Sequence, residues 1–107
     1  MQTKNHRYVL SVIPWIVSER DWSAGVAFTN IDDNPATVQV TEHTEQGNAR
    51  NTRAIPIAGN GTAKIAVHQE TRILYVEHPN TVLITAHQFG AHGVTQLEVH
   101  EVTDLKK

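Results

Sequence analysis

The chain reads as an all-β protein: an antiparallel β-sandwich of about seven to eight strands with Greek-key or jelly-roll-like connections. Three observations predict this. Apolar residues recur with period two, as in Val26 and Phe28, Val38 and Val40, Ile65 and Val67, Leu97 and Val99, and side chains that alternate between two faces mean strands. Turn-forming clusters (I-D-D-N-P, T-E-Q-G-N, A-G-N-G, H-P-N) punctuate these runs, at a spacing of roughly eight to twelve residues typical of sandwiches. No stretch shows the apolar period of an amphipathic helix.

Taken in order, residues 1–6 are polar and expected to fray, as is the tail 104–107. Arg7 to Val17 is rich in β-branched and aromatic residues, and predicts a long first strand bent or broken at Pro14, which only an edge or a bulge tolerates. Ser18 to Asp21 is a charged loop. From Trp22 to Val40 two alternating runs flank I-D-D-N-P, where Asp32, Asp33 and Asn34 favour turn geometry and Pro35 cannot donate to a ladder, so the stretch predicts a β-hairpin. The third strand runs to about His43, and Gly47 closes a second hairpin. Arg53 to Ile57 predicts a short strand, placed at an edge by Pro56. After A-G-N-G, T-A-K-I-A-V-H predicts a half-buried strand, and R-I-L-Y-V-E predicts the next. T-V-L-I-T-A-H-Q-F is the candidate for a central strand covered on both faces. A Gly90–Gly93 turn then leads into one last strand, Val94 to Val102.

At 107 residues the chain is expected to be a single domain, 1–107. Hydrophobic residues make up 39% and aromatic residues 6%, so the core must come mainly from Val, Ile, Leu and Ala. Nine basic against eleven acidic residues leave a formal net charge of -2, with no like-charge block; this argues against a nucleic-acid partner, which needs a basic face. The absence of cysteine excludes disulfides, thiolate metal sites and cysteine nucleophiles. Lys4 and Arg7 ahead of Tyr8–Val17 superficially resemble a signal peptide. Pro14 interrupts that run, charged residues follow at once and no small-x-small pattern ends it, so a cytoplasmic location without membrane insertion is the expectation.

Four stretches carry a resemblance: W-S-A-G-V-A-F-T-N-I-D-D-N-P-A-T-V-Q-V, E-Q-G-N, I-P-I-A-G-N-G-T-A-K-I-A-V and P-N-T-V-L-I-T-A. Their layout over roughly residues 7–89 is similar to the soluble sensory-rhodopsin-transducer family, and to sandwich modules of surface proteins. The resemblance implies an oligomeric, non-enzymatic sandwich that binds a partner or a small ligand. The matching positions are structural, so no functional residue is carried over. The Gly90–Gly93 turn and the strand after it have no counterpart in this layout, which makes them a place to look for this protein's own function.

Seven histidines invite a metal reading. His87 and His92 are the leading pair, with His100 or His43 as a third ligand, but no H-x-H or H-E-x-x-H spacing occurs, so solvated strand ends and loops are the favoured reading and no metal or cofactor is expected. The carboxylate pairs Asp32/Asp33 and Glu98/Glu101 lack a pocket that would separate their roles, and Ser11, Ser18 and Ser23 sit in no nucleophile elbow, so no catalytic residue is expected. Trp15 and Trp22 read as caps on one end of the core. The sharper reading is that one of them is exposed and contacts a partner or a sugar, a question that Phe89, beside Gly90, also raises.

The function expected is therefore that of a non-catalytic interaction or adaptor domain, forming a homo-oligomer and binding a protein partner. A carbohydrate or other small-ligand binding module is the alternative, and a histidine metal-site protein the third reading.

Overall fold

The computed structural model describes residues 8–17 and 21–102. Most of the charged loop after Val17 and both polar termini lie outside the described residues. The described residues form nine strands: β1 (Tyr8–Ile13), β2 (Ser23–Asn30), β3 (Ala36–His43), β4 (Ala49–Ile57), β5 (Thr62–Ala66), β6 (Ile73–Pro79), β7 (Val82–Gly90), β8 (Gly93–Leu97) and β9 (His100–Val102). They make two antiparallel sheets, β4-β3-β6-β1-β9 and β5-β2-β7-β8, and no helix occurs among the described residues. The expected sandwich is what the chain builds.

The inward alternates of both sheets meet in one core, of which Ile13, Val26, Phe28, Val38, Val40, Leu74, Val76 and Ala86 are members. Phe28 is its one fully buried aromatic, and aliphatic side chains fill the rest.

Several details differ from the expectation, each for a physical reason. The Trp22–Val40 stretch is not a hairpin. β2 pairs with β5 and β7, β3 pairs with β4 and β6, and I-D-D-N-P carries the chain from one sheet to the other. Period-two patterning is identical for side-by-side and face-to-face strands, and Val26 and Phe28 face Val38 and Val40 across the core. Asn30 holds this arch. Its buried amide donates to the carbonyls of Asn34 (2.8 Å) and Ala58 (3.4 Å), and its Oδ1 accepts from the Asp32 amide (3.1 Å) and the Thr81 hydroxyl (3.4 Å). One side chain thus joins the β2–β3, β4–β5 and β6–β7 connections, all of which cross between sheets at this end.

The first strand stops at Ile13, one residue before Pro14, and β1 lies inside its sheet between β6 and β9. The expected edge strand with Pro56 is confirmed in place but begins earlier, at Ala49, because it pairs with β3 almost from the Gly47 turn. The expected last strand is two. β8 follows β7, and after Glu98 and Val99 the chain changes sheet so that β9 pairs with β1. β7 is interior to its sheet but covered on one face only, leaving Leu83 and Phe89 exposed.

Candidate functional site

The outer face of the four-stranded sheet carries a trough. Along β2 the inward positions are Ala24, Val26, Phe28 and Asn30, so Gly25 and Ala27 point outward. The register sets Gly25 between Ala66 of β5 and His87 of β7, and Ala27 between Lys64 and Thr85. The middle strand of the three therefore offers only Gly and Ala at the centre of this face, and a cavity of about 340 Å³ opens there. Phe89, two residues beyond His87 on the same face, forms one wall. Its ring lies against Gly25, with Cε2 3.5 Å from where a Cβ would stand, and tilts at 39° to His87 with ring centroids 6.5 Å apart. Glycine inside a strand weakens it, and often marks a place where something must approach the backbone closely. Phe89 uses part of that space and stays 43% exposed. Lys64 is the one charged residue lining the cavity, and no carboxylate pairs with it among the described residues.

Two larger clefts, of about 590 and 580 Å³, lie at the arches beside Tyr8, Pro35, Pro56 and Pro79, and where β8 leaves its sheet beside Ile84, Leu97 and Val99. Both are bounded by connections between strands. The trough is instead floored by paired strands, which position side chains more closely than loops do.

A second cluster centres on Glu42, which faces inward from β3 and is fully buried. Its carboxylate accepts from the Thr71 hydroxyl (2.6 Å), the His68 amide (3.1 Å), His68 Nδ1 (2.8 Å) and Arg53 Nη2 (2.8 Å). Arg53 Nη2 also donates to the Ala66 carbonyl (2.9 Å), so β4, β3 and the β5–β6 connection are tied along one side of the sandwich. Burial, the largest single influence, pushes the Glu42 carboxyl upward, but hydrogen bonds from Thr71, His68 and Arg53 together outweigh it and hold the group below its ordinary value. The sign follows by linkage. A carboxyl whose folded value is depressed adds stability that is complete above its unfolded value, near pH ~4.3, and is lost as pH falls through the folded value. The urea midpoint is accordingly expected to drop below about pH 4, and the drop is expected to flatten in Glu42→Gln when both proteins are titrated in parallel.

Of the residues singled out from sequence, the structure brings Phe89 and His87 together in the trough. Trp22 packs its ring over Gly90, where an added Cβ would meet Trp22 Cζ3 at 2.5 Å, yet it remains 46% exposed. Trp15 is 58% exposed, while its neighbour Ile16 is buried. The expected capping of the core therefore falls to Ile16 and to Gln88, whose amide donates to the Val17 carbonyl and accepts from the Val17 amide (3.4 Å). The histidines disperse. His92 is exposed in the β7–β8 turn, whereas His43 (edge-on to Tyr75) and His100 (beside Glu98, 2.9 Å) lie on the five-stranded sheet. No group of three or more His, Asp or Glu side chains that could hold a metal ion occurs among the described residues.

Sequence reasoning missed Lys64, Gly25, Glu42 and His78. The first two become legible only once register sets β5 and β7 beside β2. Glu42 continues the inward alternation of Val38 and Val40, which was the available signal. His78 is buried in the core, with Nδ1 donating to the Pro79 carbonyl (2.8 Å) and Nε2 accepting from the Ser11 hydroxyl (2.8 Å). This pair satisfies two polar groups that would otherwise be stranded in the interior.

No protein-family model matches the sequence, and no curated protein matches it. Among solved structures the chain is similar to the Anabaena sensory rhodopsin transducer, with a TM-score of 0.54 and 11% identity over 79% of this chain and 99% of that one. It is also similar to the Thermotoga maritima protein 1070, with a TM-score of 0.58 and 11% identity over 94% of this chain and 93% of that one. At this identity the likeness is one of fold, and it places the layout read from the four quoted stretches on a shared sandwich architecture.

Proposed function

We propose that the domain is a non-catalytic interaction module that self-associates and docks a protein partner through the outer face of its five-stranded sheet. One observation carries this reading. The outward alternates of β1 are Tyr8, Leu10 and Val12, opposite the inward Ser11 and Ile13. The register sets Val12 between Tyr75 and His100, and Leu10 between Glu77 and Val102, so an apolar stripe along β1 is flanked by both apolar and polar neighbours. An antiparallel sheet with one face in water ordinarily alternates apolar with polar residues, and a strand apolar on both faces marks a surface that another molecule covers. The fold-level likeness to a transducer is consistent with an adaptor role. The balanced charge of the chain also suits a protein partner better than nucleic acid, and a cytoplasmic setting belongs to the same proposal.

Native mass spectrometry of the untagged protein, with and without a chelator, tests it. A defined oligomer above 11.9 kDa is expected, with Leu10→Arg shifting it to monomer while far-ultraviolet circular dichroism stays unchanged. A wild-type monomer would sink the reading, and a chelator-removable metal would return attention to His87 and His92.

A second reading, small-ligand binding, is favoured by the trough on the opposite sheet, where Phe89 and His87 stand over a floor of Gly25 and Ala27.

A further inference from the structure

The trough also discriminates among ligand classes, and the inference drawn here rests on the small-ligand reading. Polar groups are few around it. The side chains that can hydrogen-bond inside are the Ser23 hydroxyl, the Lys64 ammonium and the His87 ring, and everything else lining the cavity is aliphatic, aromatic or main chain, which is paired in the β5-β2-β7 ladders except along the free edge of β5, where the Ala66 carbonyl accepts from Arg53. A neutral sugar would bring several hydroxyls against this floor, and each left without a partner costs about 1–3 kcal/mol. A cation would meet Lys64 and no carboxylate. What remains is a flat apolar body with one negative group.

The geometry suits such a molecule. Its volume of about 340 Å³ falls within the range of small-ligand sites, which begins near ~300 Å³. The floor at Gly25 and Ala27 is level because neither residue raises a side chain beyond Cβ, and Phe89 stands at one end to stack on a ring. Lys64 sits at the other side, in the row of Ala27 and Thr85, so an anionic substituent projecting from a ring bound over Gly25 reaches it along β5. Lys64 pairs with no carboxylate among the described residues, so none of these competes for its ammonium.

We propose that the outer face of the four-stranded sheet binds a small planar aromatic carboxylate, with its ring on Gly25 and Ala27 against Phe89, and its carboxylate at Lys64. The probe is 1-naphthylacetate, compared with the uncharged 1-naphthylacetamide of the same shape. Each is titrated into the full-length ¹⁵N-labelled protein and followed by amide chemical shifts.

Saturable shifts centred on Gly25, Ala27, Ala66 and His87 are expected with the carboxylate at concentrations up to ~10 mM. The amide is expected to bind about fivefold more weakly, the upper end of what one exposed charge pair contributes. Lys64→Gln should erase that preference, bringing the two probes to equal affinity. Ala27→Val should abolish binding of both by filling the floor, on a solvent-facing strand position where valine is well tolerated. Equal affinity for the two probes would overturn the anionic assignment and leave the small-ligand reading standing. Absence of saturable shifts at these residues with either probe would remove both.

Discussion

Replacing Gly59 by alanine is expected to lower stability by about 3 kcal/mol or more, the size associated with forcing backbone apart in a packed region. Gly59 lies in the β4–β5 connection, and a Cβ there would overlap the carbonyl of Asp33 in the β2–β3 arch. Neither side can give way freely. The Asn60 amide donates to the Asp32 carbonyl (2.9 Å), the Asn60 side chain donates to Asp33 Oδ1 (2.9 Å), and Asn60 itself holds a positive φ of 57°. Moving one arch therefore breaks hydrogen bonds in the other and disturbs Asn30, which joins both. Gly25→Ala is the control. Its new Cβ meets Phe89 and the Ile65 carbonyl at 3.5 and 3.6 Å, ordinary contact distances, and a change of less than about 1 kcal/mol is expected. Urea unfolding followed by tryptophan fluorescence compares the two, and equal midpoints would refute the close-approach argument.

Glu42→Ala is expected to cost about 3–5 kcal/mol, because removing one partner of a buried ion pair leaves the others uncompensated. The alanine deprives the Thr71 hydroxyl, the His68 amide and ring, and Arg53 Nη2 of their shared acceptor. Arg53 retains some access to solvent and recovers part of the loss by turning outward, which favours the lower half of that range. The companion measurement is the pair Glu42→Leu with Arg53→Met. Apolar groups of similar size are often as stable as the ion pair they replace, so the double variant is expected to recover at least half of the single-site loss. A loss that simply adds across the two sites would mean that they act independently.

How much of this was legible in advance follows from which interactions set each feature. Period-two alternation and Gly, Asn and Pro turns are local, so the strands around Val26, Val38, Ile65 and Val76 and the edge position of Pro56 could be read directly. Whether a turn folds a strand back beside its neighbour or carries it over to the facing sheet is decided by distant partners. I-D-D-N-P spells both outcomes, and only Ala58 and Thr81, brought in from elsewhere, complete the shell of Asn30. The trough follows the same logic. Phe89 and His87 drew notice as single residues, but Gly25, Ala27 and Lys64 acquire meaning only through register between β5, β2 and β7. Trp15 and Trp22 do not cap the core as expected, because Ile13, Ile16 and Leu74 already fill it.

Among the described residues only β3–β4 and β7–β8 are hairpins between sequence neighbours; every other connection there changes sheet. The first strand consequently has no partner nearby in the chain, since β1 pairs with β6 and with β9, which ends at Val102. A chain emerging from the ribosome cannot complete this sheet until Val102 has been made, and until then β1 exposes an apolar ribbon with both edges open. Loop-closure entropy must be met before these distant pairings return any stability, which places the domain among slow folders. During synthesis the strand that presents the proposed docking face is thus the one most in need of shielding from premature company.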